Sequence, residues 1–402
     1  MSKPIIAVYG DTPTVSTGFG NVMQNIFSYC ADDYEIKIMG INYAGYPYDA
    51  AKYPYKIYPA MNPLMPGYTP GDYYGREHLA RWVEIEKFDT LFILNDAWLL
   101  RDFIPQIMEI VKKKSKDIPI IVYFPVDTDE TEAAWYEWLK EATVAVTYTQ
   151  FGYDTIKRVV PDLPLSVIPH GANVETFKPI PRGSNETVAQ YRNIVGDEFV
   201  FLNVNKNQVR KNIPGSIGGM REYLRLTNNL DDTLVLHMAE TEPIGCHIRI
   251  VANALNFPGK ASIRVSPAKL DEEHLNCMYN ACNAVITSAC GEGWGLSISE
   301  AICAGVPVIA PKHTSFPEVV RNFGLLYDPG QLITALPLNT DRSNRRYYID
   351  PKVLAAAMAK VHDNYPQYRE MALAGRKWNA ENRTWKEHVV PQWKELFKQV
   401  LS

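Results

Sequence analysis

Two glutamates, Glu292 and Glu300, enclose the string Gly293-Trp-Gly-Leu-Ser-Ile-Ser299, and this spacing offers two kinds of chemistry. Gly291, Gly293 and Gly295 open the backbone, and Leu296 to Ala304 has helical spacing before Gly305 and Pro307 end it. The helix therefore begins with free N–H groups at Gly295, Leu296 and Ser297, where the helix dipole favours an anion, most simply a phosphate. Carboxylates accept paired hydroxyls, so one glutamate could hold a ribose diol and the other the hydroxyls of a sugar. Taken singly, Glu300 reads as an ordinary helix-start glutamate and Glu292 as a solvated loop residue.

Other polar loops follow apolar runs. Asn205-Lys-Asn-Gln-Val-Arg-Lys-Asn212 lies between the strand-like Glu198–Val204 and Pro214 at a helix start, so Lys206 and Lys211 could face the same phosphates; alone, they make an exposed basic turn. Asp11-Thr-Pro-Thr-Val-Ser-Thr-Gly-Phe-Gly20 follows the first strand, where Gly18 and Gly20 could admit a substrate to the backbone and Thr17 or Asn21 could cap a helix. A polar turn and cap explains the same residues. Asp127-Thr-Asp129 follows the run Ile118–Phe124, and an Asp-x-Asp at a strand end can hold a metal-bound nucleotide sugar. The glycine module already supplies a metal-free phosphate site, so no metal is assigned. His170 after a strand is, by itself, a structural histidine.

These loops need a sheet beneath them. Short apolar runs at Pro4–Gly10, Glu35–Asn42, Thr90–Asn95, Ile118–Phe124, Thr143–Tyr148 and Leu165–Pro169, then at Glu198–Val204, Thr233–Met238, Ala261–Val265 and Ala284–Ile286, alternate with helical stretches. That is the periodicity of doubly wound α/β structure, and 402 residues exceed one typical core. Pro179 to Asp197 reads as the connection between two domains, and Trp378 to Leu401 as an amphipathic helical tail.

The full string from Ala289 to Ala310, with its paired glutamates, Gly-Leu-Ser and Ala-Gly-Val-Pro-Val-Ile-Ala, strongly resembles the GT4 group of retaining glycosyltransferases and their Glu-x7-Glu motif. The resemblance implies the GT-B fold: α/β, with two Rossmann-like doubly wound domains facing an interdomain cleft. It places an acceptor domain at 1–179, a linker at 180–197, a nucleotide-sugar domain at 198–383, and a C-terminal helix at 384–402 that packs back on the first. It implies that Glu292 lies near the donor sugar, that Glu300 holds the ribose, and that Lys206 and Lys211 contact the diphosphate. Lys206 stands where an arginine is commoner. The glycines of the first loop match the family's cleft loop, and His170 with Gly171 matches the segment ending its first domain. Thr314, Ser315 and Phe316 fall near the donor sugar, while Asp127 stands where many relatives carry a histidine beside the reacting sugar. The implied donor is a nucleotide-diphosphate sugar, with no cofactor and no metal.

Composition bounds the partners. With 46% apolar and 21% charged residues and a net charge of −4, the chain has no global bias toward nucleic acid or an anionic membrane. No apolar run is long enough to span a bilayer and Met1-Ser-Lys-Pro leads into a strand, so a cytoplasmic protein is expected. The six dispersed cysteines read as reduced packing residues. Tyr43, Tyr46, Tyr48, Tyr53, Tyr55, Tyr58, Tyr68, Tyr73 and Tyr74, interleaved with proline and glycine, either fasten an irregular excursion or stack on an acceptor. Asp341–Arg346 reads as an exposed insertion, and Ser266–Lys269 as an interhelix turn or a contact to the donor base. The acceptor is expected to be a glycan or small molecule, with a hydroxymethylated pyrimidine in DNA as the alternative. An epimerase or hydrolase on the same architecture and a silent nucleotide-sugar binding module are the rival functions.

Overall fold

The structure is a computed structural model that describes residues 3–61, 71–181, 183–195, 198–258, 263–267, 269–334 and 345–402. It divides into two units, the first formed by Met1–Val126, Thr131–Gly171 and Trp385–Ser402, the second by Asp127–Glu130 and Ala172–Thr384. Tyr68, residues 261 and 262, Ala268 and residues 341–344, about which the sequence raised expectations, lie outside the described residues.

The first unit is built on strands β1 (Ile5–Asp11), β2 (Glu35–Ile41), β3 (Lys56–Pro59), β4 (Thr90–Leu94), β5 (Ile120–Phe124), β6 (Val144–Thr147) and β7 (Leu165–Val167). They are all parallel, in the order β3-β2-β1-β4-β5-β6-β7. Every residue of β4 and β5 is buried, which is why these strands read as continuous apolar runs. The order reverses direction between β1 and β4, the place where open α/β sheets leave a crevice at the strand ends. The tyrosine-rich stretch contributes the short strand β3, which its prolines and glycines concealed. Tyr43 and Tyr55 are buried, and their neighbours tie the excursion down: the Tyr43 hydroxyl donates to the Tyr46 carbonyl and that of Tyr48 to the Tyr55 carbonyl at 2.9 Å.

The C-terminal residues complete this unit. The helix Val390–Leu401 buries Trp393 and Phe397 fully, and the Trp393 ring lies 5.3 Å from Phe92 and 4.7 Å from Tyr123. The tail is not one helix, since the helix Tyr365–Asn382 ends before Arg383 and a wide turn at Trp385–Val389 precedes the last helix. Pro391 sits in the first turn of that last helix, where its missing N–H costs nothing.

The second unit has a second parallel sheet: β8 (Val200–Val204), β9 (Thr233–His237), β10 (Ile263–Val265), β11 (Ala284–Ile286), β12 (Val308–Pro311) and β13 (Leu325–Tyr327). Its order, β10-β9-β8-β11-β12-β13, repeats the Rossmann pattern and reverses direction between β8 and β11. A separate antiparallel hairpin pairs β14 (Leu332–Thr334) with β15 (Arg345–Tyr347). Residues 180–197, read from sequence as a connection, carry the helix Glu186–Val195, whose Arg192 donates to the carbonyls of Ala281 at 3.0 Å and Glu198 at 2.8 Å. This stretch is therefore docked on its own unit.

Candidate active site

The switch point of the second sheet brings together the two loops that carry the chemistry. The loop after β8 holds Lys206 to Lys211, and the loop after β11 holds Ala289 to Gly295. Adjacent pairing of β8 and β11 puts them side by side, and the Cys290 N–H donates to the Arg210 carbonyl at 2.8 Å. Beneath them Asn203, Ser216 and Ser288, all completely buried, form a polar chain: Asn203 Nδ2 to Ser216 Oγ at 2.8 Å, then Ser216 Oγ to Ser288 Oγ at 2.6 Å. Buried Asn207 anchors the first loop, with its amide donating to the Cys246 carbonyl at 2.7 Å and its Oδ1 accepting from the Cys246 N–H at 3.0 Å.

Lys211 and Glu292 form an ion pair within this frame. Arg210 reaches the other oxygen of Glu292 at 3.2 Å and, through Nε, Asp127 Oδ2 at 3.0 Å. Arg346 donates to both the carbonyl and the carboxylate of Asp127, the latter at 3.2 Å. The result is an alternating chain, Arg346–Asp127–Arg210–Glu292–Lys211, in which two carboxylates face three cations. Burial alone would raise the Glu292 carboxyl, but Lys211 and Arg210 together outweigh it and hold it below the usual range. Burial opposes ionisation at Asp127 too, and Arg346 with Arg210 prevails there. Burial lowers the Lys211 ammonium below its ordinary value against the pull of Glu292.

The glycine loop is held from behind. The Glu292 N–H donates to Thr314 Oγ1 at 3.1 Å, and the Ser315 hydroxyl donates to the Trp294 carbonyl at 2.9 Å. His313 meets the Ala289 carbonyl through Nε2 at 3.0 Å and Thr314 Oγ1 through Nδ1 at 3.1 Å. A carbonyl can only accept, so Nε2 carries the proton and Nδ1 accepts from the Thr314 hydroxyl. Burial pushes His313 down to about 4, which keeps it neutral. Its ring stacks on Tyr347 at 4.7 Å and 8°, and Tyr347 donates its hydroxyl to Asp129. Gly295 takes φ +91° at the cap of the helix Leu296–Cys303, and a Cβ there would lie 3.0 Å from the Phe316 ring. Thr314, Ser315 and Phe316, expected near a donor sugar, are thus 4%, 0% and 1% exposed and support the loop.

The other expected site residues fall as follows. Gly293 is buried in the loop, Leu296 and Ser297 are partly exposed at the helix start, and Glu300 lies on that helix with Tyr279 donating to its Oε2 at 2.8 Å. Burial raises Glu300 to about 7, with Tyr279 pulling the other way. Lys206 is exposed and makes no ion pair among the described residues, so the cation beside Lys211 is Arg210 and not Lys206. Gly18 and Gly20 belong to the first unit. Gly20 gives its N–H to the capping hydroxyl of Thr17 at 3.0 Å, and a Cβ on it would lie 2.5 Å from the Val15 carbonyl. Its close approach is to its own loop, while Gly18 is exposed. His170 is 3% exposed in an aromatic nest, 4.2 Å from the Tyr148 ring and 5.9 Å from Trp385, and burial lowers it to about 3.

Two contributors escaped the sequence reading. Arg210 lies inside the basic loop Asn205–Asn212 next to Lys211, and Arg346, expected in an exposed insertion, is 6% exposed. Asp127 and Asp129 are committed to Arg210, Arg346 and Tyr347, and among the described residues no group of three or more His, Cys, Asp or Glu is placed to hold a metal ion. All six cysteines are free. Among the described residues no helix is long and apolar enough to cross a membrane.

A family model described as Family 4 Glycosyltransferase in conflict systems matches residues 171–390. A 61-residue stretch is 41% identical to O-antigen chain mannosyltransferase B of Escherichia coli, and this match spans 15% of the chain and 16% of that relative's length. Among solved structures, sucrose-phosphate synthase from Thermosynechococcus elongatus superposes with a TM-score of 0.75 at 16% identity, covering 99% of each chain. Anabaena HepE, solved with UDP and glucose, gives 0.69 at 13% identity, covering 98% of this chain and 100% of that one. A UDP-forming trehalose-phosphate synthase from Burkholderia xenovorans gives 0.69 at 11%, covering 100% and 99%. These likenesses show the fold, two parallel α/β sheets of the GT-B type.

Proposed function

We propose, because this chain belongs to the family 4 glycosyltransferases in conflict systems, that it moves a sugar from a nucleotide-diphosphate sugar to an acceptor hydroxyl with retention of anomeric configuration. The observation that carries this reading is the cluster at the second sheet's switch point. Three cations against two carboxylates leave one positive charge in surplus, next to the N-terminus of the helix Leu296–Cys303. A departing diphosphate is the group that such a site stabilises, because negative charge develops there as the glycosidic bond breaks. UDP is a reasonable first nucleotide, since it is what HepE binds.

In this reading Lys211, Arg210 and the N–H groups of Gly295 to Ser297 take the diphosphate, Glu300 takes the ribose diol, and Glu292 takes sugar hydroxyls. Lys206, on the exposed side of its loop, can contribute at longer range. The bond from the anomeric carbon to the diphosphate oxygen breaks, and its electron pair leaves with the nucleoside diphosphate. The acceptor oxygen attacks from the same face, and its proton passes to the leaving phosphate oxygen. No metal or cofactor is required by these steps, and the first unit takes the acceptor, with the exposed Gly18 in the loop at its own switch point.

The test follows nucleoside diphosphate release from a panel of nucleotide sugars without acceptor, with a glycan mixture, and with hydroxymethylpyrimidine-containing DNA. Release that requires one acceptor class supports transfer and names the class. Conversion of donor without acceptor would instead identify an epimerase or hydrolase, and absence of binding to every donor sinks the proposal.

A further inference from the structure

Arg346 reaches the candidate site from outside both of its loops. It lies on β15, its carboxylate partner Asp127 is 219 positions away in sequence, and it is 6% exposed. The rest of the short strand points to the same segment: Arg345 pairs with Glu130 at 2.5 Å, its carbonyl accepts from the Thr128 hydroxyl at 3.0 Å, and Tyr347 donates to Asp129. Residues 127–130 are thereby fastened to β15 at every position, all within the second unit.

We infer that Arg346 is a positioning residue that neutralises Asp127, and so leaves Arg210 and Lys211 with one surplus positive charge for the donor's diphosphate. The inference rests on the reading above of a nucleoside-diphosphate site. Without Arg346, Asp127 keeps its ion pair with Arg210, with Lys211 farther along the chain, and two cations face two carboxylates. Arg210 is then held by Asp127, Glu292 is left to Lys211, and the cluster offers an incoming anion no net charge. The Coulombic attraction within a buried cluster is much stronger than in water, so one charge changes affinity noticeably. Arg346 itself need not touch the nucleotide.

The test is calorimetric titration of the full chain with UDP, GDP and ADP, for wild type, Arg346→Gln, Arg346→Lys, Asp127→Asn and the double variant Asp127→Asn/Arg346→Gln, each checked by thermal melting. The expected result is that wild type binds at least one of the three and that Arg346→Gln weakens it by roughly tenfold or more, as for a lost charge-assisted contact. Arg346→Lys keeps most of the affinity, and the double variant recovers it, because both charges of the pair are gone. Wild-type binding that Arg346→Gln leaves unchanged overturns this inference alone, and so does a loss that the double variant fails to restore. No binding of any of the three by wild type overturns the nucleotide reading and this inference with it. Should Arg346→Gln not fold, Asp127→Asn decides: binding at least as tight as wild type supports the inference, and weaker binding overturns it.

Discussion

The carbonyl oxygen of Asp127 lies 2.0 Å from the position that a Cβ on Gly291 would take, and Arg346 Nη1 lies 2.5 Å from it. The guanidinium is the far end of a flexible side chain, but the carbonyl is backbone and cannot step aside cheaply. Gly291→Ala must therefore push residues 127–130 off the glycine loop. We expect a loss of roughly 1–3 kcal/mol of stability, as for other overpacked sites, read as a lower midpoint in thermal or urea unfolding. Nucleoside diphosphate binding should weaken with it, because the same displacement pulls Asp127 from Arg210. An unchanged melting curve would mean that the approach of Asp127 is looser than it stands.

Glu292 sits between two cations, so its replacement has effects of opposite sign on binding and on transfer. Glu292→Gln removes one of two carboxylates from the cluster and raises the surplus from one positive charge to two. A free nucleoside diphosphate should bind as tightly as in wild type or more tightly, while sugar transfer falls by roughly a hundredfold or more if the carboxylate acts on the sugar in the transition state. Stability also falls, since breaking a buried pair leaves Lys211 without its closest anion. Parallel measurement of binding by calorimetry and transfer by product formation checks this. Equal loss of both would count against a role for Glu292 at the sugar.

What the sequence disclosed, and what it hid, follows the range of the contacts. The Glu292 to Glu300 string was legible because glycines, helix start and both carboxylates lie within one local segment. The parallel strands were legible because burial on both faces leaves continuous apolar runs, as in β4 and β5. Arg346 was not legible, because its partner is 219 positions away and it ends the polar, charged run Asp341–Arg346, which reads as exposed. Lys206 and Lys211 match the diphosphate positions of the family the sequence resembles, but sequence position does not set which side chains of an irregular loop turn inward. The loop's path, pinned by Asn207 to Cys246, turns Arg210 inward and leaves Lys206 exposed. Gly20 had the right composition for substrate approach, yet its space is taken by the carbonyl of Val15.

His170 separates packing from binding in the first unit. Its ring is enclosed by Tyr123, Tyr148 and Trp385, with centroids 5.8, 4.2 and 5.9 Å away, and burial holds it neutral at about 3. His170→Phe keeps an aromatic ring in this nest, so nucleoside diphosphate affinity should stay within about twofold of wild type, because the ring packs against side chains of its own unit. Protonation has a defined sign here: with a lowered folded-state value, the stability contributed by the neutral ring is present above the ordinary value of 6.5 and lost as pH falls toward about 3. His170→Phe should therefore flatten the acid limb of the stability curve. A large drop in nucleotide affinity would instead assign the histidine to the ligand.

Glu300 gives the opposite sign and a window near neutrality. Its folded-state value of about 7, raised by burial from an ordinary 4.5, means that the native state holds a proton which the unfolded chain has released. The resulting stability is fully present below about 4.5 and is lost as pH rises through about 7. A ribose diol donates hydrogen bonds and so needs the ionised carboxylate, which makes binding strengthen over the same range in which the free protein weakens. Below about 7, wild-type affinity for a nucleoside diphosphate should fall by up to about tenfold per pH unit from this group. The diphosphate titrates in part of that range as well, so the decisive quantity is the difference in slope between wild type and Glu300→Gln. The variant should bind more weakly at pH 8 and show the smaller pH dependence between pH 6 and 8. Identical slopes and affinities in the two proteins would remove Glu300 from the ribose and leave its hydrogen bond with Tyr279 as a structural contact.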